Sequence, residues 1–289
     1  MTRLAKLILA IGRTAVAAAL AGMMTLPAPA AAQTSDLVVR SALRVCADPA
    51  NLPFSSKDGS GFENKLAELV GRALKIPVLY TWFPQATGFL RRTLRARRCD
   101  LIIGFSQAHE LVLNTNHYYR SSYVLVYRKG NGLDGVTSLT DPRLKTRKIG
   151  VIAGTPPATN LAINGLMATA KPFPLMVDRR YFSPSQRMVR EIADGTLDAG
   201  LLWGPIGGYY VKKSKSRAAL MIVPLINEKG GARMSFRITM AVRRGERDWK
   251  RQLNRLIRKH QSEINHILLS YGVPLFDEDN KPISEAKGH

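Results

Sequence analysis

The sequence predicts an α/β fold of two lobes joined by two crossing segments, on three observations. From residue 43 onward, short apolar strand-like runs alternate with amphipathic helical patterns, the grammar of a parallel sheet covered by helices. That grammar occurs twice, in blocks of similar size. The chain crosses between the blocks near residues 127–130 and again near 234–242, which leaves a groove where the strand carboxyl ends converge. Residues 33–128 with 234–289 are expected to form the first lobe and 129–233 the second.

Residues 1–32 read as a secretory signal. Arg3, Lys6 and Arg13 flank apolar stretches, Pro27 and Pro29 follow, and Ala30, Ala31 and Ala32 fit an A-x-A cleavage site. The apolar run is broken by Gly12, Arg13 and Thr14, and its stronger part is shorter than the roughly 20 residues that span a bilayer. Cleavage after Ala32 leaves 257 residues carrying a net charge of +19, compared with +22 for the full chain of 289. A periplasmic location follows.

The elements come in order. Residues 43–47 are a short apolar strand, and 48–60, rich in Pro, Asn, Ser and Gly, a loop. Leu66, Leu69, Val70, Ala73 and Leu74 recur at helical spacing, so 62–74 is an amphipathic helix. A strand at 78–82, a basic helix at 87–96 and a buried strand at 101–105 follow, and 122–127 closes the block. In the second block a strand at 148–153 leads to a helix capped by Thr155, with Pro156 at its first position. After a strand around 174–177, Ser183, Pro184 and Gln186 start a helix that Gly195 stops. Strands at 198–203 and 235–242 precede a long helix at 248–271 with Trp249, Leu253, Leu256, Ile257, Ile264 and Leu268 inward. Lys250, Arg251, Arg255, Arg258 and Lys259 then form its solvated face.

The basic excess lies in clusters: one at residues 91–98, one at 143–148, one at 212–217 and one from 243 to 259. Export argues against nucleic acid as the partner, and the clusters together suggest an acidic protein or an anionic membrane surface. Two cysteines in the exported part predict a disulfide, Cys46–Cys99, which would stabilise the fold by about 4 kcal/mol. The alternative is a pair of buried thiols, because sequence does not fix their Cα separation.

Short motifs recur in an order similar to that of type II periplasmic solute-binding proteins, in their amino-acid-receptor-like branch. They are Pro53-Phe54, Gly61-Phe62-Glu63, the run from Cys99 to Gly104, Ala153-Gly154-Thr155 and the run from Gly195 to Ala199. Three longer stretches, 43–54, 118–124 and 203–210, resemble the accessory subfamily of pyrroloquinoline-quinone alcohol dehydrogenases, the MxaJ/XoxJ type of methylotrophic bacteria. The resemblance implies a role beside a methanol or alcohol dehydrogenase and its cytochrome c.

Departures from the receptor pattern bear on the ligand. Receptors of this kind fix a ligand carboxylate with an Arg after the strand that ends near Gly104, but no Arg or Lys occurs between Asp100 and Tyr119. They fix the ligand ammonium with an Asp at the place of Trp203. Burying a zwitterion without those partners costs several kcal/mol per ion. The groove is therefore expected to lack ionic clamps and to be lined by Phe54, Tyr123, Trp203 and Tyr209, suiting an apolar or aromatic group or a partner segment. A guanidinium facing a carboxylate there would contradict this.

Further candidates are Asp48 and Glu63 as groove carboxylates, Ser106 as a ligand-facing hydroxyl, and the Gly154-Thr155 helix start as an anion site or simple cap. Lys65 stands where a second acid is common in the family, which weakens a ligand role for Glu63. The run Asp277-Glu278-Asp279-Asn280 lacks the spacing of a calcium loop. None of His109, His117, His260, His266 and His289 forms a metal motif, and no catalytic motif or acid pair is present. The expectation is a non-enzymatic accessory binding protein without cofactor or metal, the alternative being a transporter's receptor for a small uncharged or aromatic solute.

Overall fold

The computed structural model describes residues 37–107 and 110–284. The leader read at 1–32, His109 and His289 lie outside them. Strand β1 (Leu43–Ala47) is followed by a tight pair, β2 (Ala50–Asn51) and β3 (Ser55–Ser56). Helix α1 (Phe62–Leu74) buries Phe62, Leu66, Leu69 and Val70 on the stripe that its spacing predicts. Strand β4 (Val78–Trp82) lies parallel to β1, and β1 bridges to Leu101 on its other side. Helix α2 (Phe89–Arg92) and strand β5 (Ile102–Ser106) complete this part.

Strand β6 (Leu113–Arg128) is 16 residues long and serves both lobes. Up to Ser122 it pairs antiparallel with β11 (Ser235–Val242). From Tyr123 onward it pairs with β9 (Ala199–Trp203) and with β10 (Leu220–Pro224). Strand β7 (Ile149–Ile152) lies parallel to both β8 (Ala170–Phe173) and β9. The second lobe's helices are α3 (Pro156–Ile163), α4 (Pro184–Asp194) and α5 (Gly204–Lys213). Helices α6 (Arg247–Lys259) and α7 (Gln261–Ser270) pack back on the first core, and a short pair, β12 (Leu275–Phe276) and β13 (Pro282–Ile283), ends the described chain.

The cores follow strand periodicity. Along the second half of β6, Val124 and Val126 pack with Met188 and Ile192 of α4. Leu125 and Tyr127 face the opposite side with Val151, Leu161 and Leu201. Side chains two apart share a face, so this part of the sheet is covered twice. A separate core joins Phe62, Leu66, Tyr118, Met240, Trp249, Leu253 and Leu268. Cys46 and Cys99 are joined in a disulfide with Cα atoms 5.4 Å apart, among Phe89, Leu94 and Ile102.

Four expected elements differ. The helix expected at 87–96 is reduced to Phe89–Arg92. Gly88 starts it at φ 90° and Arg97 lies at φ 55°, while only Phe89 and Leu94 among its large side chains are buried; arginines without an apolar stripe do not hold a helix on a core. The strand expected at 174–177 lies at 170–173 instead, because Leu175 and Met176 are 44% and 62% exposed. The helix expected at 248–271 is two helices that meet at His260, whose φ of −111° leaves the helical range. Strand β6 begins at Leu113, ahead of the expected 122, behind a polar run that hides its alternation.

Candidate functional site

The loop after β1 is fixed by the start of α1. The backbone N–H groups of Phe62 and Glu63 donate to the carbonyls of Pro53 and Phe54, each at 2.8 Å. A Cβ at Gly61 would stand 2.2 Å from the Phe54 carbonyl oxygen, so glycine is required for this approach. Phe54 is thereby held on the wall of a cavity of about 320 Å³ between the lobes. Leu52, Gln85, Tyr123, Leu202 and Trp203 line it too. Tyr123 and Trp203 are register partners with ring centroids 5.3 Å apart, and Phe236 closes an aromatic trio at 6.3 and 5.8 Å. Burial of the Tyr123 phenol pushes its pKa up to about 12.

A second cavity of about 410 Å³ shares Gln85, Leu175 and Arg179 with the first and adds Asp48. Asp48 is almost fully buried and its carboxylate is rigidly held: Oδ1 accepts from the Ala50 N–H at 2.8 Å and Oδ2 from the Gln85 N–H at 2.7 Å. Arg179 reaches the same Oδ2 with Nη1 at 3.6 Å. A guanidinium and a carboxylate therefore do face each other across the groove, and the expectation of a groove without ionic clamps is overturned. Their arrangement differs from a zwitterion clamp, because each neutralises the other. The remaining charged lining groups, Asp178 and Arg180, are also paired, at 2.6 Å. An incoming amino acid would have to break the Asp48–Arg179 pair to be held by it.

The other named residues are dispersed. Thr155 lines the 320 Å³ cavity, yet its hydroxyl donates back to the Ile152 carbonyl at 2.6 Å and makes no cap. Residues 156 and 157 are both proline, so the first turn of α3 lacks two of the N–H groups that hold anions at helix starts. Ser106 is exposed at the end of β5 and lines neither cavity. Tyr209 also lies outside both; it stacks on Tyr271 at 6.1 Å. Tyr210 takes the groove position, with its hydroxyl 3.1 Å from Ser183 Oγ.

Glu63 is buried in the first turn of α1 and lines neither cavity. Its Oε1 lies so close to Gly104 that a Cβ there would stand 1.9 Å away. Desolvation, with the Asp48 charge as the lesser cause, pushes the Glu63 pKa up to about 8, so the carboxyl is protonated at neutral pH. Sequence reasoning missed Arg179, Ile206 and Tyr210. For the last two a signal existed, since 206 and 210 lie four apart on one face of α5. For Arg179 only folding brings residues 48 and 179 together.

Among the described residues, no helix is long and apolar enough to cross a membrane, and no group of three acidic, His or Cys side chains could hold a metal ion. No family model matches the chain. Protein MoxJ of Methylorubrum extorquens is 31% identical over 287 residues, covering 92% of this chain and 95% of that protein. The solved structure of the periplasmic binding protein XoxJ from Methylobacterium extorquens AM1 is similar with a TM-score of 0.69 and 41% identity, covering 82% of this chain and 100% of that one. The structure of MxaJ from Methylophaga aminisulfidivorans reaches the same TM-score of 0.69 at 26% identity, over 81% of this chain and 100% of its own. With the two-lobed α/β architecture and the whole-length likeness together, the chain belongs to the MoxJ family of periplasmic binding proteins.

Proposed function

We propose that this protein is a periplasmic accessory binding protein that interacts with a pyrroloquinoline-quinone methanol or alcohol dehydrogenase and activates it or assists its maturation. The observation that carries the reading is the groove. Its charges are spent on one another, as Asp48–Arg179 and Asp178–Arg180, while Phe54, Tyr123 and Trp203 present apolar surface. Such a site favours an aromatic or aliphatic anchor over a free amino acid. The likeness to XoxJ and MxaJ, and the resemblance that links such proteins to quinoprotein dehydrogenases, supply the partner. Lobes of 33–128 with 234–289 and of 129–233 would meet at that groove.

The mechanism is differential binding. The groove engages one state of the dehydrogenase better than another and shifts its population toward the active or cofactor-loaded form. The basic excess steers the encounter, with the dehydrogenase's cytochrome c as a further partner. The test is titration of the exported protein into purified dehydrogenase at low salt. A saturable rise in activity, lost in Trp203→Ala, is expected; no association and no change in activity overturns the reading.

A receptor role is the second reading, favoured by the cavity of about 320 Å³, which is at the lower end of the size range of small-ligand sites. It predicts a saturable rise in melting temperature with a small uncharged or aromatic solute.

A further inference from the structure

We infer that the arginine-rich end of the first lobe, built around the Cys46–Cys99 disulfide, is a docking face for an acidic surface of a partner protein. Arg91, Arg92, Arg95, Arg97 and Arg98 are all exposed. Their loop is rigid: Phe89 and Leu94 are buried against the disulfide, Thr93 Oγ1 donates to the Phe89 carbonyl at 2.6 Å, and Thr81 Oγ1 donates to the Arg98 carbonyl at 2.7 Å. Arg97 stands at φ 55°, a conformation that Gly or Asn adopts more readily. A backbone already held in place loses less entropy on binding.

The start of α6 joins the same face. Partly buried Arg243 donates to the carbonyls of Leu94 and Cys99, and Arg244 and Arg247, next to it in the chain, are both exposed. The acids at this end are already consumed. Asp100 accepts from Arg44 and Arg243, Glu246 pairs with Arg243, and Asp248 pairs with Arg251. Among the described residues, none of the seven exposed arginines has an ion pair.

Two features point to a protein. Arginine's planar fork matches carboxylates bidentately, and arginine is enriched where proteins meet, whereas this cluster contains no lysine. Leu79 is 54% exposed on the same strand face as Thr81, whose hydroxyl holds the arginine loop. That places an apolar anchor beside the cations, and Phe83 supports Arg92 at 5.6 Å. One leucine is little surface for insertion into a bilayer.

The inference rests on the accessory reading only for the partner's identity. The test compares wild type, a triple variant Arg91→Glu, Arg95→Glu, Arg244→Glu, and an equal-charge control Lys213→Glu, Lys215→Glu, Arg217→Glu, each checked for its melting curve and intact disulfide. The probes are poly-L-glutamate and the purified quinoprotein dehydrogenase, at roughly 50 mM salt where surface charges are weakly screened. The first variant should bind both probes at least tenfold more weakly than the control. Equal binding by the two variants, or no binding of either probe by wild type, overturns the docking face. Dehydrogenase binding that survives the first variant sinks the face and leaves the accessory reading standing. Arginine-dependent capture of poly-L-glutamate with no dehydrogenase binding by wild type does the reverse. Arginine-dependent capture of phosphatidylglycerol vesicles with no capture of either acidic probe overturns the choice of a protein.

Discussion

Replacing Glu63 with glutamine isolates the cost of a carboxyl buried without a counter-ion. In the folded protein its pKa is pushed from 4.5 up to about 8, so between those values the folded state keeps a proton that the unfolded state releases. Stability therefore falls as pH rises, by at most about 1.4 kcal/mol per pH unit. The penalty is absent below pH 4.5 and is complete above about 8, where it amounts to about 5 kcal/mol. Glutamine is isosteric and does not titrate, and any cost of burying its amide is independent of pH. Urea unfolding of wild type and Glu63→Gln, with the disulfide intact, should therefore diverge between pH 5 and pH 8, the variant gaining on the wild type. An equal stability difference at both ends of that range would refute the reasoning, because it would mean that the carboxyl is solvated or paired in the folded state.

The neighbouring glycine offers a second measurement. Gly104→Ala pushes a methyl group into Glu63 Oε1, at 1.9 Å without relaxation, and should cost about 1–3 kcal/mol in denaturation; a double-mutant cycle with Glu63→Ala should recover much of it. Replacing both cysteines by serine removes a link across 53 residues and should lower stability by about 4 kcal/mol in the chain-entropy model. Because Arg179 is 35% exposed and 3.6 Å from Asp48, a double-mutant cycle of Arg179→Ala with Asp48→Asn should give a coupling below about 1 kcal/mol, shrinking with salt. Trp203→Ala opens the aromatic trio and should cost about 2–3 kcal/mol by thermal unfolding while weakening the dehydrogenase effect.

Much of the scaffold was legible because local rules and tertiary demands agree. Helix α1 spans residues 62–74 as its apolar spacing predicts, and β1, β4 and β11 fall on the predicted runs. Where an element depends on distant partners, local reading failed. The polar first half of β6 is a strand because β11 pairs with it, and Pro174 to Val177 is no strand because neither lobe covers Leu175 and Met176. Phe54, Tyr123, Trp203 and Tyr210 line the cavity of about 320 Å³ and Tyr209 does not, because the phase of α5 follows from how it packs.

By itself, the sequence determined the alternation of strands and helices and which cysteines could pair, since the first depends on residue type at short spacing and the second on a count of two cysteines. Only the tertiary structure decided that Asp48 meets Arg179, that Glu63 lies against Gly104, and that Arg243 bonds to the carbonyls of Leu94 and Cys99. Charge pairing and desolvation act through space, over a few ångströms between residues far apart along the chain, and no periodicity in the sequence encodes those distances.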